Sequence, residues 1–142
     1  MKKKEFWQSH FGYFKENHSV KTLTDLQNDV ERSLAANQLY LAKKSAQSAA
    51  ANYYAPGLIL LMQVQLAECK SLFDEGSSYE SQLAQCYTTF ILCKNQPVTA
   101  NDKITLDELK SQMDDLDLSP EIQAEREEEA NGILKKMNSL TS

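Results

Sequence analysis

The twenty residues from Ala42 to Leu61, AKKSAQSAAANYYAPGLILL, decide how this chain folds. Ala42, Ala46, Ala49 and Ala50, together with Leu39 ahead of them, recur at three- and four-residue intervals, which predicts a helix whose inward face is made of very small side chains. A second helix can pack close against such a face. Pro56 is suited to the first turn of that second helix, because the N–H it lacks would have no intrahelical partner there. Ile59, Met62, Leu66, Cys69 and Phe73 then form one stripe while Leu60, Leu61 and Val64 cover further faces, the pattern of a helix buried nearly all round. A close-packing helix followed by a helix at the centre of the core is the expectation from this stretch.

Outward from this pair the same periodicity continues. On the N-terminal side Trp7, His10, Phe11 and Phe14 share a face of a helix predicted from about Lys3 to Glu16, and Leu23, Leu26, Val30 and Leu34 mark another, capped by Thr22 or Thr24 and ending near Asn37. On the C-terminal side Gly76 is a natural stop, and Ser77 with Glu80 has the spacing of a capping box. Tyr79, Leu83, Cys86, Phe90 and Cys93 line one side of the next helix, although Tyr87 to Cys93 is also rich in strand-favouring residues. Polar turn formers and Pro97 predict a hinge over residues 97–104. Beyond it, Thr105 with Glu108 would cap a short helix carrying Leu106, Leu109, Met113 and Leu116, and Ser119-Pro120-Glu121 opens a last helix with Ile122, Ala130, Ile133 and Met137 inward. The expectation is an all-α protein of about six to seven helices. Residues 1–96 would be a compact core, and the acidic segment 105–142 would pack on it within one domain.

A stretch this small-residue-rich with the turn Tyr54-Ala55-Pro56 resembles a Sel1-like repeat, a relative of the tetratricopeptide repeat. Ala42 matches the small residue that opens the family's first helix, Ala49-Ala50 match its double alanine, and Leu61 falls on its leucine position. Ser45 and Ala46 stand where the family usually has aromatics, Tyr53 stands in place of one glycine and Met62 in place of another. The likeness covers one repeat. It implies helical hairpins packed as a small array that binds a peptide or partner protein on a helical face; an irregular helical bundle is the other architecture the pattern allows.

Composition restricts the function classes. The chain has 142 residues, of which 42% are hydrophobic and 25% charged. A domain of this size buries roughly 70% of its unfolded surface, so neither metal nor disulfides are needed for folding. Glu5, Gln8, Ser9 and His10 follow the basic start where a secretory signal would be apolar, and Gln63, Gln65 and Glu68 interrupt the longest apolar run, so neither a signal peptide nor a membrane span is expected. An odd set of three cysteines on apolar stripes suggests a reducing, cytoplasmic setting. Up to residue 100 there are ten Lys and Arg against nine Asp and Glu; from 101 onward five face eleven. A net charge of −5 argues against a nucleic-acid partner.

No cofactor or metal is expected. The four glycines are isolated rather than gathered into a phosphate loop, and Cys86 and Cys93 are too far apart for a paired zinc ligand set. Asp114, Asp115 and Asp117 lack the glycine and glutamate of a calcium loop at the right offsets. The reading is therefore a non-enzymatic interaction module: an adaptor, a secretion chaperone or a neutralising protein. Its candidate partner-binding residues are Lys43, Lys44, Gln47 and Tyr54 around helix three, and Glu127, Glu128 and Glu129, whose concentration is either solvation of an exposed helix face or a surface that steers a basic partner. The N-terminal aromatics Phe6, Trp7, Phe11, Tyr13 and Phe14 are core or a partner anchor. The rival readings are a small helical enzyme whose site joins His10 or His18 to an acid from another helix, and a subunit or fragment of a larger scaffold.

Overall fold

Gly57 sets the position of the central helix. In the computed structural model, which describes residues 2–12 and 20–141, a Cβ on Gly57 would overlap the Ala49 carbonyl and the Ala50 amide. The helix carrying Gly57 therefore lies directly on the alanine face of its predecessor. Tyr54 joins the two with φ 58 and ψ −124. L residues seldom take this backbone conformation, which costs on the order of 1–3 kcal/mol. Tight packing on both sides of the turn holds it there.

Around this pair the described residues form seven helices and no strands: α1 Lys3–His10, α2 Leu23–Ala35, α3 Leu39–Tyr53, α4 Ala55–Asp74, α5 Glu80–Lys94, α6 Ala100–Asp114 and α7 Pro120–Asn138. The chain is all-α. α4 is the hub, touching α2, α3, α5 and α6, and its Leu58, Met62, Val64, Leu66 and Cys69 are fully buried or nearly so. α7 bypasses α6 and packs on α5, burying its own Ala130, Leu134 and Met137. α1 spans from α3 to α7, fastened by the buried Trp7 indole donating to the Ala50 carbonyl at 2.7 Å. The Lys3 amide donates to the Thr141 carbonyl at 2.8 Å, so the two ends of the described chain meet. Helices α3, α4, α5, α7 and α1 thus close a circuit. The α3–α4 hairpin occupies the stretch that resembles a Sel1-like repeat, but no further copy of it follows, and the described residues show no Sel1-like or tetratricopeptide-like array.

Several boundaries depart from the sequence reading. The described part of α1 ends at His10; Tyr13, Phe14, Glu16 and His18 lie outside the described residues. Ser77 does not cap α5. Its amide closes α4 by donating to the Leu72 carbonyl, with Gly76 at φ 74, and α5 begins at Glu80 without a side-chain cap. Residues 97–104 are a loop only through Thr99, whose hydroxyl accepts from the Asp102 amide and starts α6 at Ala100. Asn101 and Asp102, turn formers by composition, instead occupy the first helical turn, where a carboxylate complements the helix dipole. Thr105 is inside α6 and donates back to Asn101.

Phe73, expected in the core, is 60% exposed. α4 has 20 residues against 15 in each of α3 and α5. At about 1.5 Å of rise per residue, its end overhangs its neighbours by about a turn. Phe73 there meets the Tyr79 ring edge-on at 6.0 Å. Phe73→Ala should accordingly cost less than about 1.5 kcal/mol in denaturant unfolding, below the ~3–5 kcal/mol of a core phenylalanine. A second comparison isolates the seam, since Gly132 on α7 faces open space and Gly57 faces backbone. Gly132→Ala should gain up to about 1 kcal/mol from helix propensity. Gly57→Ala, by overpacking the seam, should lower the unfolding free energy by about 2 kcal/mol or more.

Candidate functional site

Helices packed in a circuit leave a gap where their side chains are too short to meet, and here it is a depression of about 290 Å³. Each helix offers it residues one turn apart, as the helical repeat requires. α3 contributes Lys43 and Gln47, α4 Leu61 and Gln65, and α7 Arg126 and Glu129. From α5 come Gln85, Thr88, Thr89 and Leu92, while His10 and Phe11 stand at the rim.

The charges in it are paired. Lys43 Nζ lies 3.3 Å from Glu68 Oε1, and a terminal nitrogen of Arg126 forms an ion pair with Glu129 one turn along α7. Thr88 and Thr89 donate their hydroxyl protons to the Ala84 and Gln85 carbonyls of their own helix. Two polar atoms of the lining residues are left over. Gln65 is only 6% exposed, yet its amide oxygen has no partner among the described residues, and the buried Nε of Arg126 has none either. Although His10 is exposed at the rim, the protein packed about it disfavours the imidazolium and lowers its pKa, with Glu129 pulling the other way.

Of the seven residues expected to bind a partner, Lys43, Gln47 and Glu129 are gathered here. The other four are elsewhere. Lys44 is exposed on the far side of α3, its ammonium 4.9 Å from the Tyr40 ring. Tyr54 lies at the opposite end of that helix, its ring 5.4 Å from that of Trp7 and beneath Lys4, and lines a separate depression with Pro56 and Met137. Glu127 and Glu128 are exposed, and Glu127 acts on Tyr87, whose pKa rises through burial first and this carboxylate second. Neighbours on a helix are about 100° apart, so a run of three acids cannot share one face.

The sequence reading does not single out Gln65, Gln85, Thr88, Thr89 or Arg126. For Gln65 a signal exists: a glutamine between Val64 and Leu66 in the most apolar helix either finds a partner or waits for one, whereas by hydropathy alone it is only a break in an apolar run. Among the N-terminal aromatics, Trp7 is core, and Phe6 and Phe11 pack half-buried against it. The described residues contain no cluster of three or more potential metal ligands, and no described helix is long and apolar enough to cross a membrane. Compared with protein-family models, with curated proteins and with solved structures, the chain matches none.

None of the cysteines borders the depression. Burial pushes the Cys69 thiol up to about 11, with help from Glu68, and the Cys93 thiol up to about 12, with help from Asp102; Cys86 is raised further, by burial and then by Cys69 and Glu68. The Cys86 and Cys93 sulfurs face the Met62 and Ala55 carbonyls. At pH 8 a thiol reagent should therefore leave the native protein unlabelled and modify all three cysteines once denaturant is added. Because the unfolded chain releases these protons above about pH 9 while the fold retains them, stability should decline as pH rises through that value.

Proposed function

We propose that this chain is a non-enzymatic interaction module, of the adaptor, secretion-chaperone or neutralising kind, that receives a partner protein or peptide at the five-helix depression. The convergence of Lys43, Gln47 and Glu129 with the unpartnered Gln65 amide carries this reading. Side chains on separate helices supply donors and acceptors to one open hollow whose apolar floor is Leu61 and Leu92, the composition of a recognition site. The exposed Glu127 and Glu128 add a negative approach path for a partner carrying basic charge.

An enzyme is the competing reading, and the facing of His10 and Glu129 favours it, since a lowered pKa leaves the imidazole free to act as a base. The hydroxyls beside it speak against it. Thr88 and Thr89 are both committed to backbone carbonyls of α5, and the thiols are buried and protonated, so no activated nucleophile stands in the depression among the described residues.

The test begins with a partner identified by affinity capture from the source cell and proceeds by measuring its affinity for purified variants. Lys43→Glu and Glu129→Lys should each weaken binding by about tenfold, or roughly 1.4 kcal/mol, with helical circular dichroism unchanged, whereas Lys44→Glu should have little effect. Equal affinity across all three removes the depression from consideration. Association should also slow as salt rises from about 0.05 to 0.5 M, and neutralising Glu127 and Glu128 should flatten that dependence.

A further inference from the structure

Among the described residues three buried side-chain polar atoms have no hydrogen-bond partner: Glu68 Oε1 at least lies 3.3 Å from the Lys43 ammonium, while the other two, an acceptor on Gln65 and a donor on Arg126, belong to residues that line the depression and have no such compensation at those atoms. A buried amide oxygen that gives up water for nothing is destabilising, and a methionine or leucine at position 65 would fill the same place beside Leu61, one turn back on the helix, without that penalty. Gln65 is thus a group awaiting a ligand that donates to it. Arg126 Nε–H, on the facing helix, awaits one that accepts.

A ligand with formal charge does not suit the pair. Lys43 already holds Glu68, and Arg126 already holds Glu129, so an anion would have to displace Glu129 and a cation would meet the guanidinium. A primary carboxamide carries an N–H donor and a carbonyl acceptor on one planar end and no charge. Its second N–H finds lone pairs on the Thr88 and Thr89 hydroxyls, whose own protons point to their helix. Leu61 and Leu92 provide apolar surface for the methylenes behind it. The depression, at about 290 Å³, has room for a side chain. That is the small end of the roughly 300–1,000 Å³ range of ligand pockets. We propose that the depression recognises an uncharged carboxamide, presented by a glutamine or asparagine side chain of the partner, with Gln65 and Arg126 as the groups that read it. This deepens, and rests on, the reading of the chain as an interaction module.

The experiment follows the side-chain resonances of the full chain in ¹⁵N–¹H spectra during titration with N-acetyl-glutamine-N-methylamide. The Gln65 amide and Arg126 Nε–H signals should move, and the capped glutamate of the same shape should not move them at equal concentration. Gln65→Met should abolish the response and raise Tm by a few degrees, because it removes an unpaired acceptor and keeps the packing. A glutamine whose role is only structural would give the reverse, a lower Tm. Equal responses to capped glutamine and capped glutamate, or none to either, overturn the proposal on the wild-type protein alone. Acetamide and a five-residue peptide with a central glutamine separate the two sources of the group: a tenfold or greater advantage for the peptide assigns it to a partner side chain, and equal affinity overturns that assignment. Should Lys43→Glu and Glu129→Lys abolish capture of the partner while capped glutamine has no effect, the carboxamide reading fails and the interaction module stands.

Discussion

The backbones of α3 and α4 touch where Gly57 faces Ala49 and Ala50, and the remaining helices are arranged around that contact. A side chain of any size at Gly57 would separate the two axes. At this spacing the alanines of α3 are wholly buried, and α4 is flanked closely enough to be apolar on almost every side. The energy that holds the strained Tyr54 turn comes from the burial on either side of it, so the strain and the seam are two views of one constraint. Trp7 adds a third: its indole reaches the Ala50 carbonyl, which ties the N-terminal helix to the same seam.

The depression is a consequence of how far this close packing extends. α4 lies against the alanine face of α3; on the adjoining face, half-buried Lys43 and Gln47 border the gap, which α4, α5 and α7 also line. Gln65 is buried there by the geometry of its helix and left without a partner by the width of the gap. Paired charges around the rim keep the hollow nearly neutral, and that neutrality is what makes its hydrogen-bonding character matter for recognition.

What can be read in the sequence is what depends on residues near one another in the chain. Thr22 and Ser119-Pro120 start their helices as expected because a cap is a contact across three residues. The α3–α4 hairpin is legible because small residues and a proline specify it locally. Phe73 misleads because whether a stripe is covered at its end depends on the lengths of the helices beside it. The start of α6 is hidden because asparagine and aspartate serve both turns and first helical turns, and Thr99 decides between them. Of the site, Lys43 and Gln47 are legible as polar residues on an otherwise packed helix, and Glu129 only as one of an acidic run. The role of Gln65, and the split of Glu127 from Glu129, depend on which way each helix is turned against its neighbours, and a single sequence does not carry that angle.

The bond from the Lys3 amide to the Thr141 carbonyl bears on how the molecule comes into being on the ribosome. Of the described helices α1 is made first, yet one of its two resting places, α7, is made last. At ~5–20 residues per second, α1 waits on the order of ten seconds for that neighbour. The α3–α4 seam can form in the meantime, giving Trp7 somewhere to dock. The hollow itself has no far wall until α7 emerges, so for most of that interval the growing chain has a core and no binding site.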